Sequence, residues 1–180
     1  DDTAAIRAAI RDGIEGTDKR RRSRYSFPAF VYFPQGTYLV SGPLESKVAA
    51  EGWSGGWRAG MLLIGENRER TVIQLKDKAP GYANPGKPRY VIASGSESNK
   101  RGKGLAGGGN RAFRHSLINL TISTGRGNPG AVGFDYVANN RGTVEDVVIR
   151  SEDGQGFCGL RLERWWPGPA LCKRVSIEGF

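Results

Sequence analysis

The chain has 180 residues, a formal charge of +9, 27 glycines and 9 prolines. That length suits one domain with a sizeable core and leaves little room for two, while the glycine content disfavours a helical bundle and favours short strands joined by tight turns. No apolar run approaches the ~20 residues of a membrane span, so no membrane partner is expected, and two cysteines, Cys158 and Cys172, are too few for a disulfide framework and lack metal-ligand spacing, leaving a buried thiol or one bridge open.

The positive charge invites an anionic partner, whether acidic polysaccharide, nucleic acid or anionic membrane surface. No nucleic-acid-binding motif accompanies it, so no specific nucleic-acid partner is expected. The chain opens on Asp1, Asp2 and Thr3, then Ile6 and Ile10 four apart, which predicts a capped amphipathic helix over about 2–12 with Gly13 able to end it. Lys19, Arg20, Arg21, Arg22 and Arg24 form a basic loop, either a grip for a polyanion or a solvated connection. Phe30 to Phe33, the turn at Pro34, Gln35 and Gly36, and Tyr38 to Val40 read as strand, turn, strand. Met61 to Gly65, Thr71 to Leu75 and Tyr90 to Ala93 continue the extended pattern, and the glycine-rich stretch from Ser94 to Asn110 reads as a mobile loop.

The second half repeats itself. Asn119 to Ile122 aligns with Asp146 to Ile149 and Arg174 to Ile177 at offsets of 27 and 28 residues, and Gly133 to Tyr136 aligns with Gly159 to Leu162 at 26. Two short strands per repeat with no helix between them exclude a doubly wound α/β sheet, whose parallel crossovers need a dozen residues or more. Coils that stack solve the problem: Leu120, Val147 and Val175 form one inward row and Ile122, Ile149 and Ile177 another. The expected fold is therefore all-β, a parallel β-helix whose coils run from about 30 to 180. The N-terminal helix caps the first coil, which would otherwise expose an apolar end.

These residues carry a resemblance. Asp1 to Ile6, then Val31 to Leu44 (Val-Tyr-Phe-Pro-Gln-Gly-Thr-Tyr-Leu-Val-Ser-Gly-Pro-Leu), Leu63 to Glu66 and Thr71 to Ile73 together resemble the N-terminal signature of the pectate-lyase-like superfamily, the rhamnogalacturonase/epimerase-like pectate lyase domain. The run from Asn128 to Gly133 with Val144 to Val147 is similar to the first β-helix of tandem β-helix exo-β-1,3-glucanases. The resemblance implies a single-stranded right-handed parallel β-helix of the pectin-lyase type and a secreted or cell-surface protein that handles polysaccharide. It implies a glycoside hydrolase first, and a non-catalytic glycan-binding, tail-spike or adhesin scaffold as the alternative. The segment 18–27 departs from the shorter, glycine-rich link the family often has. Asp1 in first place and the strand-like run before Phe180 lead to the expectation of a piece of a longer chain, with further coils packing on the last one and catalytic residues lying after Phe180.

Glycoside hydrolysis needs two carboxyl groups across the sugar, and Asp135, Glu152, Asp153 and Glu163 fall on or beside adjacent coils; the alternative is that they are solvated outer side chains. Eliminative cleavage needs a basic group and a cation held by several oxygens; with no cluster of three carboxylates, lyase chemistry, a metal and any cofactor are not expected here. Trp53, Trp57, Trp165 and Trp166 sit in glycine- and proline-rich segments, where they either stack on sugar or cover the core. His115 reads as a strand-edge hydrogen-bonding residue, Asn119 as a core-strand residue despite its sequon, and Asn139-Asn140 as turn asparagines bonding their own backbone.

Overall fold

The computed structural model describes residues 1–15, 30–48, 56–95 and 107–180. The basic loop at 19–24, the segment 18–27, Trp53 and most of the glycine-rich stretch after Ser94 lie outside these residues. Among the described residues, helix α1 (Thr3–Glu15) precedes thirteen strands: β1 (Val31–Phe33), β2 (Gly36–Val40), β3 (Leu44–Glu45), β4 (Lys47–Val48), β5 (Gly56–Trp57), β6 (Leu62–Gly65), β7 (Thr71–Leu75), β8 (Arg89–Ala93), β9 (Ser116–Ser123), β10 (Ala131–Asp135), β11 (Gly142–Arg150), β12 (Cys158–Arg161) and β13 (Ala170–Glu178).

Helix α1 runs beyond the expected Gly13. Ile14 continues the Ile6 and Ile10 stripe one turn further, all three are buried, and burial of that stripe outweighs the cost of about 1 kcal/mol for an internal glycine. Only Asp1 caps the helix with its side chain, accepting from the Thr3 N–H at 3.0 Å. Asp2 and Thr3 fasten it to the first coil instead: Asp2 Oδ2 accepts from the Leu39 N–H at 2.8 Å and Thr3 Oγ1 from the Ser41 N–H at 2.9 Å. The cap is thus held by hydrogen bonds as well as by its apolar face.

Among the described residues all strand pairings are parallel except β4 with β5. One sheet has the order β1-β6-β9-β11-β13, with β2 and β7 extending the C-terminal half of β9; a second has the order β12-β10-β8-β3. Successive turns of chain therefore stack, an arrangement consistent with a pectate-lyase-like β-helix. The register expected from the repeat holds: Leu120 pairs with Val147 and Val147 with Val175, Ile122 with Ile149 and Ile149 with Ile177, and Phe134 with Leu160.

Each full coil carries three β segments where the repeat suggested two. Strands β9, β11 and β13 bend in mid-course at Asn119, Asp146 and Arg174, whose φ angles are 58°, 54° and 52°. A left-handed residue costs about 1–2 kcal/mol when it is not glycine. Side-chain bonds offset the strain: Asn119 Nδ2 donates to the Gly65 and Glu66 carbonyls at 3.0 and 2.9 Å, and the Asp146 carboxylate accepts a two-pronged bond from Arg174. In the second coil the same bend is made by the longer loop between β6 and β7.

The core is the stack of inward rows. Leu63, Leu117 and Val144 form one, Ile73, Ile122 and Ile149 a second, and Leu44, Ile92 and Phe134 a third, all fully buried. Each such side chain contributes about 1.5–3 kcal/mol of transfer free energy. On β13 the rows reach solvent, with Ile177, which continues the Ile122 and Ile149 row, exposed.

Candidate functional site

Strand β10 ends on Asp135, whose neighbour across the sheet is Arg161 of β12. The carboxylate is buried and lies 2.5 Å from an Arg161 terminal nitrogen and 2.9 Å from Arg164 Nε. Arg164, 2% exposed, also donates to the carbonyls of Asp135 and Ser94. Burial lowers the pKa of the Arg164 guanidinium, against the pull of Asp135. A buried carboxylate with both oxygens engaged by guanidinium groups serves as an anchor for the segment after β12.

Trp57 completes this cluster. It stands on β5, a strand rather than the loop expected, with the Arg164 guanidinium 5.3 Å from its ring. Gly95 and Gly107 make room for it: a Cβ at either would come within 2.5 or 2.7 Å of the indole. Half-buried in this way, Trp57 covers the Asp135–Arg164 pair.

Glu152 and Asp153 lie in the bend after β11, beside the strand rather than on it. Asp153 accepts the Gly127 N–H of the preceding coil at 2.6 Å, together with the Ser151 hydroxyl and the Gln155 N–H. The Gly127 bond, more than any other contact, holds its carboxyl below the ordinary aspartate value. Burial pushes Glu152 up, but the Ser123 hydroxyl and the Arg150 guanidinium outweigh it and hold the carboxyl low. Both groups fasten coil to coil. Glu163 is exposed and makes no hydrogen bond or ion pair among the described residues. It follows β12 while Asp153 precedes it, so the strand separates these two candidates.

His115 is buried between Met61, whose N–H donates to Nδ1 at 3.2 Å, and the Gly95 carbonyl, 3.0 Å from Nε2. Burial drives its pKa down to about 4, leaving a neutral ring. Asn139 departs from the expected turn role: its side chain is buried and donates to the Trp166 and Gly168 carbonyls of the next coil at 3.1 and 2.9 Å, because the turn places it under that loop. Cys158 and Cys172 are free thiols on different sheets. Among the described residues there is no group of three or more His, Cys, Asp or Glu side chains able to hold a metal, and no helix long and apolar enough to cross a membrane.

The loop following β12 carries Trp165 and Trp166. Their rings lie 5.0 Å apart and are 41% and 45% exposed. The backbone beneath is fixed: the Trp165 carbonyl accepts from the Gly109 N–H at 2.7 Å, Asn139 holds the Trp166 carbonyl, and Arg164 is locked in place. Asn139 therefore joins this loop to the turn that leads into Asn140 and Arg141. Beside that turn opens a recess of about 670 Å³ lined by Asn140, Arg141, Thr143, Pro169 and Leu171, among others. Two exposed aromatic side chains on a held backbone, beside a largely apolar recess that also offers Asn140, Arg141 and Thr143, make a surface able to stack on sugar rings and bond their hydroxyls. Asn139, Arg161 and Arg164 escaped sequence reasoning as site-builders; the repeat that aligns Asp135 with Arg161 was the one signal available.

Neither the curated proteins nor the solved structures include a significant match to this chain. The family model for rhamnogalacturonase A/epimerase, pectate lyase-like proteins matches residues 1–164. With the stacked parallel sheets, the N-terminal helix and the expected register all in place, the chain belongs to that family.

Proposed function

We propose that the protein processes polysaccharide as a glycoside hydrolase, and that the stretch described here is a single-stranded right-handed β-helix presenting a glycan-binding surface. The hand follows the rule for parallel crossovers. The observation that carries the reading is the pair Trp165 and Trp166, exposed on a loop whose backbone is held from three sides. Large aromatic faces left in solvent on a rigid support are characteristic of recognition surfaces. The family supports action on polysaccharide, and the net charge of +9 favours an anionic one. Such substrates place the protein outside the cell or at its surface. The exposed Ile177 of β13, at the end of an inward row, would be covered by further coils of the same chain.

A second reading, glycan binding without cleavage, is favoured by the engagement of Asp135, Glu152 and Asp153 in structural bonds. Reducing-sugar and unsaturated-product assays on laminarin, polygalacturonate and rhamnogalacturonan separate the two, run beside retention of the protein on each polymer. Reducing ends without unsaturated products support hydrolysis; retention without cleavage supports binding alone. Trp165→Ala with Trp166→Ala is expected to weaken retention about tenfold, in line with the loss of two stacking faces. Unchanged retention would remove the aromatic pair from the site.

A further inference from the structure

A cleft of about 560 Å³ lies between the capping helix and the first two coils, on the helix face that presents Arg7 and Arg11. Lys47 and Arg89 line its other side, with Pro43 and Glu45. Four cationic side chains thus meet one carboxylate in a space within the range of about 300–1,000 Å³ typical of small-ligand sites. Among the described residues, no carboxylate comes within ion-pair distance of Arg7, Lys47 or Arg89, and Arg11 pairs only with its exposed neighbour Asp12.

Two of the guanidinium groups are already positioned. Arg7 Nε donates to the Pro43 carbonyl at 2.9 Å, and Arg89 lies over the Tyr82 ring at 5.2 Å with a bond to the Pro80 carbonyl. A guanidinium held by one nitrogen keeps its other N–H groups for a ligand, at a reduced entropic cost. Glu45 is held too, accepting from the Tyr90 hydroxyl through Oε2 at 2.5 Å, while its Oε1 carries no hydrogen bond among the described residues. That carboxylate selects against a bare phosphate, which it would repel, and favours a ligand that offers hydroxyl donors beside its negative charge.

We infer that this cleft binds an acidic sugar unit, with its carboxylate on the Arg7 and Arg89 guanidinium groups and Lys47, and a hydroxyl on Glu45. It is separate from the aromatic loop after β12, and the assignment rests on the proposed action on polysaccharide in one respect, the sugar nature of the ligand.

Amide chemical-shift titration of the ¹⁵N-labelled chain tests it, with trigalacturonate, neutral laminaritriose and inorganic phosphate as probes. Trigalacturonate is expected to shift the amides of Ala4, Ala8 and Glu45, and Lys47→Gln with Arg89→Gln to weaken that binding roughly tenfold, as loss of two charge-assisted contacts implies. Both replaced side chains are exposed, so the pair leaves the core alone; a matching far-ultraviolet spectrum and urea midpoint show that the variant is folded. Equal shifts with phosphate would overturn the sugar-acid assignment in favour of a general anion site. Shifts confined to Trp165, Trp166 and their neighbours would overturn the cleft and leave the glycan reading standing. Silence with all three probes would overturn the cleft, and silence extending to polymer retention would take the glycan reading with it.

Discussion

Replacing Asp135 by alanine tests whether the most suggestive carboxylate of the chain is structural or chemical. The change removes the partner of Arg164, 2% exposed, and one partner of Arg161, 12% exposed. Arg164 keeps its bonds to the Ser94 and Asp135 carbonyls, but its charge is then buried without a counter-ion. Removing one member of such a pair costs about 3–5 kcal/mol, because the survivor has already lost its hydration. With a urea slope of about 2 kcal/mol/M for a chain of this size, the unfolding midpoint should fall by about 2 M. Indole fluorescence reports the transition, since Trp57 lies against the same guanidinium. Asp135→Asn keeps an oxygen acceptor but not the charge and should lie between the parent and the alanine variant. A midpoint for Asp135→Ala within about 0.3 M of the parent, well inside the drop expected from that slope, would refute the anchoring role.

Three further outcomes follow from the geometry. His115 has its folded pKa pushed down from 6.5 to about 4, so the unfolded chain takes up a proton that the folded chain refuses as pH falls through that window; about 3 kcal/mol of stability should be lost between pH 7 and 4, and the imidazole resonances of this single histidine should not titrate above pH 5.5. Titration near 6.5 would contradict its burial, and the loss is distinct from the lower window in which Asp153, with its depressed pKa, gives up its own contribution. Asn119→Ala keeps a left-handed φ without its two carbonyl bonds and should cost about 2–3 kcal/mol by urea unfolding, whereas Asn119→Gly, relieved of the strain, should cost less. Glu163→Gln should leave the urea midpoint unchanged and, if Glu163 serves as the acid or base of cleavage, lower reducing-sugar release at least about a hundredfold; release unaffected by the change would remove it from the chemistry.

The fold was legible because a stacked coil writes its register into the sequence: Leu120, Val147 and Val175 recur at one coil's spacing and do pair. The bend within β9, β11 and β13 was not, since Asn119 and Asp146 carry only the weak left-handed preference of their residue types and Arg174 carries none. Helix α1 outran Gly13 because Ile14 adds a further residue to its buried stripe, a tertiary gain that the local glycine signal does not carry. In the candidate site, the aromatic pair could be named but not its support, which comes from Gly109 and Asn139, distant in sequence. Asp135 was singled out without its ion pairs: Arg161 was implied by the repeat, but Arg164 reaches it through a loop conformation that carries no periodic signal.

The corners explain why so few carboxylates are left for chemistry. Parallel sheets bond one coil to the next along the strands, but each turn between faces must satisfy its own backbone groups or leave them unpaired. Here polar side chains do it: Asp77 accepts the Arg126 N–H, Asp153 the Gly127 N–H, and buried Asn128 donates to the Lys76 and Thr124 carbonyls while accepting from the Ala79 N–H. Asn139 performs the same task beneath the tryptophan loop. Asp153, committed to the Gly127 N–H of the preceding coil, gains its low pKa from that bond, which suits a fastener better than a general acid. Glu163 escapes this use because it lies beyond the corner, on the loop that Arg164 anchors and on which the two tryptophans stand. Any catalytic carboxyl contributed by the coils described here should therefore be sought on that loop, where the backbone is held by other residues and the side chains are free to meet a sugar.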